Sequence, residues 1–111
     1  MNIVKTKLKD CFIFEPTIFG DTRGYFFESY NKSKFESLIG KAIDFIQDNE
    51  AFSNKGALRG LHFQEGEFAQ AKLVRVTQGL VLDVAVDLRP DSETFLQHIA
   101  VELSSDNKKQ L

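Results

Sequence analysis

Between Gly79 and Pro90 the apolar residues alternate without a break. Leu80, Leu82, Val84, Val86 and Leu88 fall on one face, and Val81, Asp83, Ala85, Asp87 and Arg89 fall on the other. A period of two is the repeat of a β-strand with unlike faces and cannot be carried by a helix. Gly79 and Pro90 bracket the run as turn residues. The same reading predicts a strand over Phe95 to Leu103, and another over Lys72 to Thr77 that pairs with Leu80–Arg89 as a hairpin through Gln78-Gly79. Shorter strands are predicted at Cys11–Phe14, Tyr25–Tyr30, Phe45–Asn49 and Leu58–Gln64. One helix fits Lys32–Ile39, where Phe35, Leu38 and Ile39 share a face. Asn31 or Ser33 can cap its start, Ser33 with Glu36 matches a capping box, and Gly40 ends it. About seven short strands and one helix make an all-β chain, an antiparallel sandwich or barrel of jelly-roll type.

With 111 residues the chain is one domain's worth, read as a single unit over residues 1–111. Eleven Phe and two Tyr imply a real core with most of the rings buried. One cysteine, Cys11, excludes an internal disulfide framework and a multi-cysteine zinc site, and it fits a reducing, cytoplasmic setting. A net charge of −2 argues against nonspecific nucleic-acid binding, which needs a basic face. The longest apolar run, Cys11 to Phe14, is far too short to span a membrane, and Met1–Lys7 has no signal-peptide core. Ser104–Gln110 reads as a polar loop and Leu111 as the start of something further. From this the sandwich is expected to be incomplete, with apolar faces and strand edges left open.

Polar residues of chemical interest concentrate in Arg59-Gly60-Leu61-His62-Phe63-Gln64, followed by Lys72. On a regular strand His62 shares a face with Gly60 and Gln64, and Arg59 points away from it unless Gly60 hosts a bulge. His62 is either a surface or structural histidine or a general base, since imidazole titrates near neutrality. Lys72, if close, can stabilise an oxyanion. Gln47 and Asn49 share strand parity about Asp48, and form either a ligand-binding group or a turn. Arg23, in the turn Gly20–Gly24, is a solvated arginine or a phosphate fork. Glu28 lies among Tyr25, Phe26 and Phe27 and needs a partner. Asp83 and Asp87 are outward and solvated by default, or line a cavity. Neither has the neighbouring histidines of a metal site.

Five ordered blocks resemble those of the dTDP-4-dehydrorhamnose 3,5-epimerases: Phe19–Tyr30, Gln47–Asn49, Leu58–Gln64, Lys72–Arg75 and Asp83–Asp87. The resemblance implies a cupin-type jelly roll and a homodimer. It implies an isomerase that inverts carbons 3 and 5 of dTDP-4-dehydro-6-deoxyglucose, in dTDP-rhamnose biosynthesis, without metal or cofactor. By position His62 resembles the general base and Lys72 the residue that stabilises the enolate oxygen. Arg59, Gln47, Asp48 and Asn49 resemble substrate-binding residues, and Arg23 and Glu28 resemble residues that reach the nucleotide across a dimer interface. If Arg59 and His62 meet one substrate, the strand cannot be regular at Gly60. The family's acid tyrosine and the carboxylate that orients its base lie in a later half that these 111 residues do not include. Tyr25 and Tyr30 do not match that tyrosine, and Glu50 stands where the family often has His. A catalytically inert nucleotide-sugar-binding module and a related sugar-nucleotide isomerase are the alternatives; a metal-dependent cupin is more distant, with His62 its only available ligand.

Overall fold

A computed structural model describes residues 1–111. In chain order the elements are β1 (Asn2–Lys5), β2 (Phe12–Glu15), β3 (Phe19–Asp21), β4 (Gly24–Phe26), α1 (Lys32–Ile39), β5 (Leu80–Val86) and β6 (His98–Ser104). They form three antiparallel ribbons of two strands each, β1–β2, β3–β4 and β5–β6. The all-β class with one short helix is as expected, and no barrel closes within these residues.

The helix occupies the residues its sequence marks. Asn31 caps it, its side chain accepting from the Lys34 N–H, and Gly40 ends it with a φ of 71° that favours glycine. The Ser33–Glu36 capping box does not form. Glu36 instead accepts from the Ile43 N–H at 3.1 Å, and Asn31 sits where the cap must be. Phe35 is the buried residue of the helix. Its ring stacks on Phe14 of β2 at 4.6 Å between centroids, and Tyr30 and Phe45 close on it at 5.6 and 5.5 Å. This aromatic group is the centre of the core.

The last residues join β2 to the segment before β5. Phe14 and Gln110 exchange both backbone hydrogen bonds, at 2.8 and 3.0 Å, and Val74 and Leu111 do the same at 2.8 and 3.0 Å. Gln110 is 1% exposed, and its side chain donates to the Ser29 carbonyl at 2.8 Å. The reading of Ser104–Gln110 as a loop is therefore corrected at its end: Gln110 is a core residue, bridged to both Phe14 and Arg75. A polar amide is accepted there because its hydrogen-bonding groups find partners.

β5 pairs with β6 over its whole length, Leu80 opposite Ser104 and Val86 opposite His98. The expected hairpin of Lys72–Thr77 with β5 does not form. Residues 74–75 pair with 110–111 instead, and Ser105 donates its backbone N–H to Gly79. The strands expected at Phe45–Asn49 and Leu58–Gln64 are also absent, because no neighbouring strand satisfies their backbone. β1 and β3 are strands the sequence pattern did not mark.

β5 ends at Val86 because Asp87 turns its carboxylate inward. It accepts from Arg89 Nε at 2.8 Å, Arg89 Nη2 at 2.9 Å, Ser92 Oγ at 2.6 Å, Thr94 Oγ1 at 2.6 Å and the Arg89 N–H at 3.0 Å. Asp87 is buried, which corrects the expectation of an outward, solvated residue. The same Arg89 donates to the Lys9 carbonyl, tying this loop to the β1–β2 turn. Arg89, then Ser92 and Thr94, hold the Asp87 carboxyl well below the usual carboxylate range.

The core is small. The rings of Phe14 and Phe35 are buried, but those of Phe19, Phe26, Phe52, Phe63 and Phe68 are largely exposed. The expectation that most rings are buried fails because no second layer lies over residues 46–72; in the β5–β6 ribbon Leu80 and Leu82 are exposed as well, although Leu103 is fully buried. The expected open apolar faces are present.

Packing should outweigh capping in holding the helix. Phe35→Ala is expected to destabilise by about 3–5 kcal/mol, and Asn31→Ala by about 1 kcal/mol. Urea unfolding followed by circular dichroism checks the order; equal losses would show that the aromatic group is not the centre of the core. Asp87 binds fewer protons folded than unfolded, so its stabilisation is full above the ordinary carboxylate range and declines as pH falls through and below about 4. Asp87→Asn is expected to be less stable at neutral pH and to show a shallower loss on acidification. Urea midpoints from neutral to strongly acid pH that run parallel for the two proteins would contradict this.

Candidate functional site

Most of the candidate residues lie on residues 41–79, a segment with little regular structure that is anchored at a few points. Its far end is fixed by the pairing of Val74 with Leu111. Lys72 emerges two residues before that pairing. A short 3-10 turn, Gly66–Phe68, interrupts the path between Gln64 and Lys72.

The Gln47–Asn49 block is exposed and has no regular structure. Gln47 Nε2 donates to Asn49 Oδ1 at 3.1 Å, so these two amides meet as their shared parity suggested. Asp48 lies between them and makes no side-chain hydrogen bond within the chain. Glu50 accepts from Thr77 Oγ1 at 3.4 Å, which sets the end of the block beside the residues leading into β5. Sequence reasoning did not foresee this link, because nothing in the local pattern joins positions 27 residues apart.

Arg59 donates from Nη2 to the Phe52 carbonyl at 2.9 Å and closes the loop between them. A turn at Asn54–Ala57 lies inside that loop. The backbone then departs from strand geometry at Gly60, whose φ is 100°. Only glycine adopts such an angle without strain. The irregularity that the Arg59 and His62 pairing required is thus observed, although the rest of the expected strand is not. Leu61 and Phe63 face solvent instead of packing into a core. His62 folds back toward Gly60: a Cβ built on that glycine would stand 3.3 Å from His62 Nδ1. His62, Arg59 and Lys72 make no hydrogen bonds to one another. Arg59 is engaged by the Phe52 carbonyl, and His62 and Lys72 are exposed and make no side-chain hydrogen bond within the chain.

Arg23 and Glu28 lie elsewhere. Arg23 is at the tip of the β3–β4 ribbon, 88% exposed, with Nη2 2.6 Å from Asp21 Oδ2. That pairing holds the Asp21 carboxyl below its ordinary range. Glu28 finds the partners its aromatic surroundings demanded. It accepts from Lys34 Nζ at 2.8 Å and Asn31 Nδ2 at 3.2 Å, which lowers its carboxyl below the ordinary range. Of the two tyrosines, Tyr25 accepts from Lys108 Nζ at 2.8 Å, and Tyr30 packs in the aromatic group. No group of three or more His, Cys, Asp or Glu side chains is placed to hold a metal ion. No helix is long and apolar enough to cross a membrane.

The arrangement therefore places an imidazole, two cations and a set of amides and carboxylates along one exposed segment. Comparison with known proteins gives these residues a family. The sequence model of the dTDP-4-dehydrorhamnose 3,5-epimerases matches residues 5–111. The dTDP-4-dehydrorhamnose 3,5-epimerase of Escherichia coli strain K12 is 55% identical over all 111 residues, which cover 60% of its length. The crystal structure of the enzyme from Elizabethkingia anophelis superposes with a TM-score of 0.94 at 58% identity, over 99% of this chain and 60% of that one. The Legionella pneumophila protein, solved in complex with dTDP-4-keto-L-rhamnose, superposes with a TM-score of 0.92 at 49% identity, over 98% of this chain and 57% of that one. The chain thus spans about 60% of the length of the curated relatives it matches. By the match to its family model and the identity that runs the length of the chain, it belongs to the dTDP-4-dehydrorhamnose 3,5-epimerase family.

Proposed function

We propose that this chain carries the proton-abstracting part of a dTDP-4-dehydrorhamnose 3,5-epimerase, acting on dTDP-4-dehydro-6-deoxyglucose. The observation that carries the reading is the break at Gly60, which turns His62 out of strand register and leaves its imidazole without a hydrogen-bond partner in the chain. A general base needs a free nitrogen at the reacting proton. The ketone at carbon 4 acidifies the protons on carbons 3 and 5. His62 takes one of them, the electron pair moves to the ketone oxygen, and Lys72 stabilises the enolate oxygen so formed. A proton returned to the opposite face completes the inversion. The resemblance assigns that acid to neither Tyr25 nor Tyr30, whose positions do not match the family's acid tyrosine.

Gln47, Asp48, Asn49 and Arg59 bind the nucleotide sugar beside the base. The ligand named in the Legionella structure supports this substrate class. Arg23 and Glu28 serve the nucleotide of a second copy in a homodimer. The exposed Phe19, Tyr25 and Phe26 of the β3–β4 ribbon support that part of the reading, because apolar rings on a projecting ribbon favour burial against a partner. The reaction is cytoplasmic, in keeping with the single unpaired cysteine. Residues 1–111 act as one unit in it.

Deuterium incorporation at carbons 3 and 5 of dTDP-4-dehydro-6-deoxyglucose in heavy water tests the proposal. His62→Ala is expected to lower it by about 10²–10⁴-fold, with binding of dTDP retained. Binding without any exchange in the unaltered chain would instead support an inert nucleotide-sugar-binding module.

A further inference from the structure

The contact between His62 and Gly60 goes further than a backbone bend. Six glycines of the chain have positive φ, and five of them, Gly24, Gly40, Gly56, Gly66 and Gly79, have open space where a side chain would stand. Gly60 differs. A Cβ there would lie 3.3 Å from His62 Nδ1, 3.4 Å from the His62 backbone nitrogen and 3.8 Å from Cε1. Contacts at 3.3–3.4 Å are tighter than side chains ordinarily accept, so the imidazole would have to move.

We propose that Gly60 is a positioning residue for His62: the side chain it lacks is the space in which the Nδ1 edge of the imidazole rests. This rests on the reading of His62 as the base. Two independent demands meet at the position. The φ of 100° selects glycine for the bend, and the proximity of the ring selects it again for room. A base must be held close to its productive geometry; a Cβ at Gly60 requires the ring to give by a few tenths of an ångström, a fraction of the displacement of about 1 Å that costs on the order of 10²-fold in rate. Gly60→Ala therefore does more than strain the backbone, because it pushes the ring off the place where the reacting proton is delivered.

Gly56→Ala is the matched control. Its φ of 83° imposes a comparable backbone penalty, and a Cβ there meets nothing within 4 Å. The chain has only two histidines, His62 and His98, so long-range proton–nitrogen NMR resolves both imidazoles and His98 serves as the internal reference. The unaltered chain is expected to show a nuclear Overhauser contact between the Gly60 α protons and His62 Hε1. Gly60→Ala is expected to move the His62 ring signals and not those of His98, and to lower deuterium exchange into the sugar by about threefold to tenfold. Gly56→Ala is expected to leave the ring signals in place and exchange within about twofold, a backbone change alone being remote from the imidazole. Absence of the Overhauser contact overturns the proposal. So do His62 signals and exchange that respond alike in the two variants. If the unaltered chain gives no exchange, the reaction reading fails, and the His62 signals alone decide the positioning role.

Discussion

Phe14 is where the chain's separate pieces are joined. Its backbone exchanges two hydrogen bonds with Gln110, its ring stacks on Phe35, and across β1 it faces Ile3. Gln110 then bridges to Arg75, and Leu111 pairs with Val74. One short line of backbone pairing thus connects the first ribbon to the segment that leads into β5, and the stacking of Phe14 on Phe35 adds the helix. Without it, the residues from Lys41 to Gln78 would be tied to the rest chiefly near their start, where Ile43 donates to Glu36, Lys41 pairs with Asp10 and Phe45 packs on Phe35. The place of Lys72, two residues from the Val74 pairing, follows from that line. A buried amide at Gln110 is consistent with this role, because it satisfies Ser29 as well as the sheet.

The contrast between joined and unjoined parts explains the exposure pattern. Ribbons of two strands are marginal without a layer against them, and here the buried apolar residues are Phe14 and Phe35 under α1 with Leu8 and Leu103, beside the buried Asp87 of the Asp87–Arg89 network. Over residues 46–72 apolar side chains stay open: Ile46 is 94% exposed and Leu58 is 92% exposed. The segment that carries the candidate residues, Gln47 to Lys72, is the least buried part of the molecule. Its side chains depend on local devices, chief among them the bend at Gly60, more than on burial.

What could be read in the sequence follows the same division. The helix at Lys32–Ile39 was legible because its signals are local: a cap, an apolar face and a terminal glycine. β5 and β6 were legible because alternation survives when one partner satisfies the backbone over seven residues. The strands expected at Phe45–Asn49 and Leu58–Gln64 have the right composition, but strand formation needs a neighbour, and none is present. The pairing of residues 74–75 with 110–111 was not legible, because no local pattern announces a partner so far along the chain. Asp87 looked solvated on alternation alone; the donors that bury it come from a loop whose conformation alternation does not encode. The candidate site was legible in composition, in the density of Arg59, His62 and Lys72, and in the doubt it raised over Gly60. Which of these groups touch was not.

Chemistry and fold meet where the Gln110–Leu111 pairing holds the far end of residues 41–79 against the core. Amide hydrogen exchange measures this most directly, since the N–H groups of Phe14, Val74, Gln110 and Leu111 each donate into that line. The account predicts that these four are protected and lose protection together as urea is added, the signature of one cooperative unit. Rapid, unprotected exchange at Val74 and Leu111 with Phe14 still protected would contradict it, leaving the segment that carries Lys72 untethered from the core.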